Sequence, residues 1–149
     1  MPGEPQRIVA DDYFAEFLAR ALRLENFFPE FKAAHLPKVF PHSGLYVYPD
    51  GACVVKQGEA GRDIFVVYTG RVDILQSLGS ASADLARLGP GDILGEIALL
   101  SDGVRMATAV AQGESQIFRL VFADLQYLLQ NNPQLCEHLR ALASKRQGP

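Results

Sequence analysis

Glycines fall at positions 51, 58, 61, 70, 79, 89, 91 and 95, and the segments between them are short and rich in β-branched and aromatic residues. This spacing predicts turns separating short strands, because glycine adopts the backbone angles of tight turns at little steric cost. Ile64-Phe65-Val66-Val67-Tyr68 is a strongly β-prone run, and after Thr69-Gly70 the apolar Val72 and Ile74 alternate with Arg71 and Asp73. The pattern predicts a hairpin that turns at Thr69-Gly70. Residues 107–111 and 116–121 read as two further strands around a Gly113-Glu114-Ser115 turn, and Gly79-Ser80-Ala81-Ser82-Ala83 reads as a small loop.

Helical periodicity flanks this β-rich stretch. Asp11 or Asp12 is placed to cap a segment in which Phe14, Phe17, Leu18, Ala21 and Leu22 recur in three- and four-residue steps. Toward the other end Phe122, Leu125, Leu128 and Leu129 form one stripe. Asn132-Pro133 then reads as a cap followed by a first-turn proline, opening a last amphipathic helix with Leu135, Leu139 and Leu142 on one face. The segment from Leu24 to Tyr48, rich in Phe, Pro and His, carries no clear period.

The chain of 149 residues suits one core of ordinary domain size. No apolar run approaches the roughly 20 residues of a membrane span, and Met1-Pro2-Gly3-Glu4 is unlike a secretory signal, so a cytoplasmic location is expected. A formal net charge of −3 argues against a duplex-binding surface. Cys53, in an expected strand, and Cys136, on an expected helix, read as buried free thiols. His35, His42 and His138 lack metal-ligand spacing, and no metal is assigned.

Chemistry concentrates at Gly95-Glu96-Ile97-Ala98-Leu99-Leu100 and, after a short gap, Arg105-Met106-Ala107-Thr108. A run of good helix formers follows Gly95, so the spacing predicts a short helix whose first amides have no partner within it. Such amides carry partial positive charge and cradle a phosphate well, which makes Ile97 and Ala98 candidate donors to a phosphodiester oxygen. Gly95 lets a ligand approach the backbone. One guanidinium neutralises a monoanionic phosphodiester with two parallel hydrogen bonds, and Arg105 fits that role. Glu96 is then free to accept from a ribose 2′-hydroxyl. Taken singly, Glu96 also reads as a surface acid favoured by a helix dipole, and Arg105 as a solvated surface base.

Together the two clusters resemble the phosphate-binding cassette of the cyclic nucleotide-binding domain family. That family includes regulatory subunits of cAMP-dependent protein kinase, catabolite-activator-type transcription factors and cyclic nucleotide-gated channels. Its pattern, roughly Phe-Gly-Glu-x-Ala-Leu and then Pro-Arg-x-Ala-Thr, stands here as Leu94-Gly95-Glu96-Ile97-Ala98-Leu99 and Val104-Arg105-Met106-Ala107-Thr108. Leu94 replaces the usual aromatic and Val104 the usual proline, whose loss removes some stiffness before Arg105. Gln57-Gly58-Glu59, Asp63-Ile64-Phe65 and Leu88-Gly89-Pro90-Gly91-Asp92 match the family's strand-and-turn framework.

The resemblance implies an α+β fold: an antiparallel β-roll of jelly-roll type with a short cassette helix and flanking N- and C-terminal helices. It implies one domain over 1–149, with an N-terminal helical region at about 1–48, a β-roll at 49–121 carrying the cassette at 94–109, and C-terminal helices at 122–146. By the same resemblance Arg105 takes the phosphate and Glu96 the ribose, while the amides around Gly95, Ile97, Ala98 and Met106 or Ala107 complete the cradle. Where cGMP-preferring members often carry a guanine-reading threonine, this chain has Met106, which cannot donate a hydrogen bond, so cAMP is expected ahead of cGMP.

The implied role is a non-catalytic receptor, without cofactor, that moves its terminal helices and signals to a protein partner. No helix-turn-helix, pseudosubstrate Arg-Arg-x-Ser or pore helix is evident, so direct DNA binding, kinase inhibition and gating in cis are not expected. A nucleotide-independent interaction module on the same fold is the alternative. An enzyme on a related roll needs clustered histidines and carboxylates on neighbouring strands, and the expected strands hold none of the three histidines.

Overall fold

A computed structural model describes residues 3–24, 30–95 and 103–147, the last six of these by backbone alone. Among the described residues seven strands form one antiparallel sheet: β1 (Gln6–Ile8), β2 (Gly44–Tyr48), β3 (Cys53–Val55), β4 (Ile64–Leu78), β5 (Ala81–Leu88), β6 (Ile93–Leu94) and β7 (Thr108–Leu120). Their order is β1-β2-β7-β4-β5, with β3 also on β7 and β6 also on β4. Among the described residues four α-helices flank it, α1 (Asp12–Ala21), a single turn α2 (Leu36–Val39), α3 (Phe122–Asn131) and α4 (Pro133–Gln147), and a 3-10 turn at Ala33–His35 precedes α2. This is the α+β roll that the sequence led us to expect; the cassette helix lies outside the described residues.

The hairpin expected at Thr69-Gly70 is instead one continuous strand. β4 runs unbroken for 15 residues and β7 for 13, and the two pair along most of their length. Gly70 and Gly113 lie inside these strands, where the register shifts around Thr69 mark a bulge. Gly70 has φ +93, and a Cβ there would stand 2.2 Å from Ser115 Oγ and 2.8 Å from Ser115 Cα. The space saved lets the fully buried Ser115 hydroxyl accept from the Arg71 amide at 3.2 Å, which re-pairs the bulged backbone. The bend hands β7 from β3, which faces Val110, to β2, which faces residues 115–119. Of the loop expected at 79–83, only Gly79 and Ser80 turn the chain, since Ala81 already pairs with Leu78.

The sheet also draws on the stretch expected to be helical before residue 49, because β1 and β2 pair with each other and β2 pairs with β7. Asp11 caps α1 by accepting from the Phe14 amide at 2.8 Å. Asn132 Oδ1 accepts from the Leu135 amide at 3.3 Å, so the expected cap and first-turn proline open α4. The helices bury Phe14, Leu18, Leu125, Leu128, Leu135 and Leu139 with Ile64, Val66 and Phe118 in one core. A second core inside the roll gathers Phe65, Val67, Val72, Leu94, Ala109 and Ile117. Cys53 and Cys136 are free, as expected, but neither is buried: Cys53, on the three-residue β3, is exposed and lines an open cavity, and Cys136 is half-buried.

Candidate functional site

Residues 103–105 are fixed by pairing with 58–61. The amide of Gly58 donates to the Arg105 carbonyl at 2.9 Å, the Arg105 amide to the Glu59 carbonyl at 2.8 Å, and the Gly61 amide to the Gly103 carbonyl at 2.7 Å. Val104 forms an antiparallel bridge with Ala60. Long-range pairing therefore constrains the chain where the family pattern uses a proline.

The Arg105 side chain is only 7 % exposed. Its Nη2 donates to the Asp63 carbonyl at 2.8 Å, and its Cζ lies 5.9 Å from the Phe65 ring centre, within cation–π range. The guanidinium packs against glycine on two sides. A Cβ on Gly95, where φ is +96, would lie 2.9 Å from Nη1 and 2.8 Å from the Asp63 carbonyl oxygen; a Cβ on Gly61 would lie 3.0 Å from Nη2. Side chains at either position would displace the fork.

Arg105 lines a cavity of about 340 Å³ together with Tyr48, Val55, Glu59, Phe65 and Arg119. Burial pushes the Tyr48 hydroxyl up to about 12, against the downward pull of the Arg119 charge, with Tyr46 adding to the rise. Arg119 is itself paired, its Nε and Nη2 both donating to Asp63 Oδ2 at 2.9 and 2.8 Å. The other carboxylate oxygen, Oδ1, accepts from the Phe122 amide at 2.9 Å, at the start of α3. Arg62 adds a cation–π contact to the Phe122 ring at 5.8 Å.

Of the site residues expected from sequence, Gly95 and Arg105 are in contact distance. Ala107 is half-buried, and Met106 is 51 % exposed with its carbonyl accepting from Gln76 Nε2 at 3.2 Å. Glu96, Ile97 and Ala98 lie outside the described residues. Asp63, Phe65, Gly61 and Tyr48 were not singled out by sequence reasoning. Asp63-Ile64-Phe65 stood out only as framework, and no local signal announces a carbonyl that meets an arginine 42 positions away. Among the described residues no group of three or more His, Cys, Asp or Glu side chains is arranged to hold a metal ion.

The sequence model of the cyclic nucleotide-binding domain matches residues 46–132, more than half of the chain. The chain belongs to the cyclic nucleotide-binding domain family. It is 35 % identical over 101 residues to the cyclic AMP receptor protein of Thermus thermophilus, covering 67 % of this chain and 47 % of that protein. It is 34 % identical over 103 residues to a cyclic nucleotide-gated potassium channel of Rhizobium etli, covering 68 % of this chain and 27 % of the channel. The chain thus spans less than half the length of these relatives.

Among solved structures, the catabolite activator protein of Thermus thermophilus superposes with a TM-score of 0.66 at 30 % identity, over 76 % of this chain and 54 % of that one. A cyclic nucleotide-binding domain from Methylobacillus flagellatus matches in fold with a TM-score of 0.70 at 21 % identity, over 93 % of this chain and 79 % of that one. Membership makes the chain a regulatory ligand-binding domain rather than an enzyme. No helix among the described residues is long and apolar enough to cross a membrane.

Proposed function

We propose that this cyclic nucleotide-binding domain is a receptor for cAMP, with cGMP as the weaker ligand, and that it signals to a protein partner by shifting its terminal helices. One observation carries the reading: a buried guanidinium, packed between Gly61 and Gly95, lines a cavity of about 340 Å³. That volume falls in the range of about 300–1,000 Å³ that small-molecule sites occupy. Arg105 takes the cyclic phosphate in a bidentate grip. Glu96 accepts from the ribose 2′-hydroxyl, and the amides of Gly95, Ile97, Ala98 and Met106 or Ala107 supply the remaining donors. Met106 offers no hydroxyl to guanine, which favours adenine.

Ligand can move the helices only by binding one of their arrangements more tightly than the other. Asp63 supports such a link, because it touches Arg105 by its carbonyl and the first residue of α3 by its carboxylate. The domain is proposed to comprise residues 1–149 as one functional unit.

Thermal denaturation with cAMP and cGMP tests the proposal. Ligand at a hundred times its dissociation constant adds about 2.7 kcal/mol of stability. Absence of any shift at millimolar nucleotide favours the interaction-module alternative. Leu94 and Val104, the departures that motivate that alternative, take part in pairings with Phe65 and Ala60.

A further inference from the structure

A second cleft, of about 460 Å³, lies where α1, the turn before β6 and α4 meet. Basic side chains outnumber acidic ones in its lining. Arg20, Arg23 and His138 face it, Asp92 is the lining carboxylate, and Phe17 and Ile93 are apolar walls. Asp92 is already engaged, its Oδ2 accepting from the Gly89 amide at 2.9 Å. The ion pairs found among the described residues, Arg71 with Asp73 and Arg119 with Asp63, leave Arg20 and Arg23 without a carboxylate partner there.

Arg23 stands where local stereochemistry asks for glycine. α1 ends in a Schellman motif, with the Leu24 amide donating to the Ala19 carbonyl at 2.7 Å and the Arg23 amide to the Arg20 carbonyl at 3.2 Å. The residue between, Arg23, has φ 60, the one non-glycine positive φ among the described residues. A side chain with a Cβ is disfavoured in that conformation, whereas glycine is not. Asn132 Nδ2 also reaches the Arg23 carbonyl at 3.4 Å, tying this strained corner to the cap of α4. The guanidinium is thus delivered to the seam between the first and last helices at a conformational cost, and strain of this kind gathers at binding sites.

We propose that the cleft between α1 and α4 binds a small organic phosphate, its oxygens taken by Arg20, Arg23 and the imidazolium of His138 and its apolar body resting on Phe17 and Ile93. Two guanidiniums and an imidazole supply the charge a phosphate dianion needs, and arginine forks match its geometry. Burial and the Arg23 charge hold His138 below its ordinary protonation range. An anion seated between them reverses the second effect, so binding draws a proton onto His138. The site is separate from the Arg105 cavity and gives the helices a second input, since the ligand braces α1 against α4.

Phenyl phosphate serves as the probe, with the full chain observed by NMR at the His138 ring and by calorimetry. The expected result is saturable binding that raises the His138 titration midpoint. Arg23→Gly removes the cation and also relieves the backbone, so it raises Tm while weakening phenyl phosphate at least tenfold and leaving cAMP affinity unchanged. Arg20→Gln weakens the probe similarly. Benzoate binds more weakly than phenyl phosphate. The proposal is overturned if phenyl phosphate leaves His138 unmoved, if folded Arg23→Gly binds it as tightly as wild type, or if benzoate binds equally well.

Discussion

The main-chain oxygen of Asp63 accepts a hydrogen bond from Arg105 Nη2 at 2.8 Å, while the carboxylate of the same residue holds the Phe122 amide at 2.9 Å. One residue thereby joins the buried guanidinium of the roll to the first turn of α3. The two grips are chemically separable, since a side-chain substitution removes the second and spares the first.

Asp63→Ala is expected to destabilise the fold by about 1–3 kcal/mol, the range for losing a helix-start acceptor and a charged hydrogen bond. Arg119→Ala should cost less, about 0–1 kcal/mol, because that side chain is 48 % exposed. Urea denaturation measures both. With cAMP added, hydrogen exchange across α3 should respond in wild type and respond less in Asp63→Ala. An undiminished response in the variant excludes Asp63 as the link.

Gly95→Ala places a methyl 2.9 Å from Arg105 Nη1 at a residue whose φ is +96. Strain of about 1–3 kcal/mol follows from the positive φ alone, and the guanidinium must also move. Both Tm and cAMP affinity should fall together. A variant that loses stability but binds normally shows that Gly95 serves the turn and not the ligand.

Which parts of this arrangement are legible in the sequence follows from how local each signal is. The cap of α1, expected at Asp11 or Asp12 and made by Asp11, and the Asn132-Pro133 start of α4 depend on neighbours three residues away, and both are present. Gly70 and Gly113 misled, because a glycine in a β-prone run marks a bulge as readily as a turn, and only the partner strand decides between them. β1 and β2 went unread for a related reason: β1 is three mostly polar residues and both are strands only through pairing with distant segments. At the site, the spacing of Glu96 and Arg105 is readable as a motif, and Glu96 lies outside the described residues. The burial of Arg105 is not readable, since it arises from pairing with residues 58–61 and from the Asp63 carbonyl.

The two bulge glycines should differ sharply. Gly113→Ala meets nothing within 4 Å and carries only the positive-φ penalty, about 1–2 kcal/mol. Gly70→Ala faces the same penalty and a clash with the Ser115 main chain, so its cost should exceed about 3 kcal/mol. Equal Tm values for the two variants contradict the bulge account.

Tyr48 sets an alkaline limit. Its hydroxyl titrates at about 12 in the folded chain against 10.0 when unperturbed, so its contribution is complete below pH 10.0 and is lost as pH rises toward the folded value. Over that window the unfolded chain ionises first and folding weakens. Tyr48→Phe should flatten the fall in stability, as followed by urea denaturation at successive pH values; an unchanged slope contradicts burial as the cause.

Calorimetric titration of cAMP into wild type, Arg105→Lys and Arg105→Ala tests the receptor reading most directly. Loss of a buried charged partner costs about 2–5 kcal/mol, so Arg105→Ala should bind at least thirtyfold more weakly, with Arg105→Lys between the two because it keeps the charge and loses the fork. Folded variants that bind cAMP within twofold of wild type, or a wild-type chain that gives no heat at millimolar nucleotide, contradict the account.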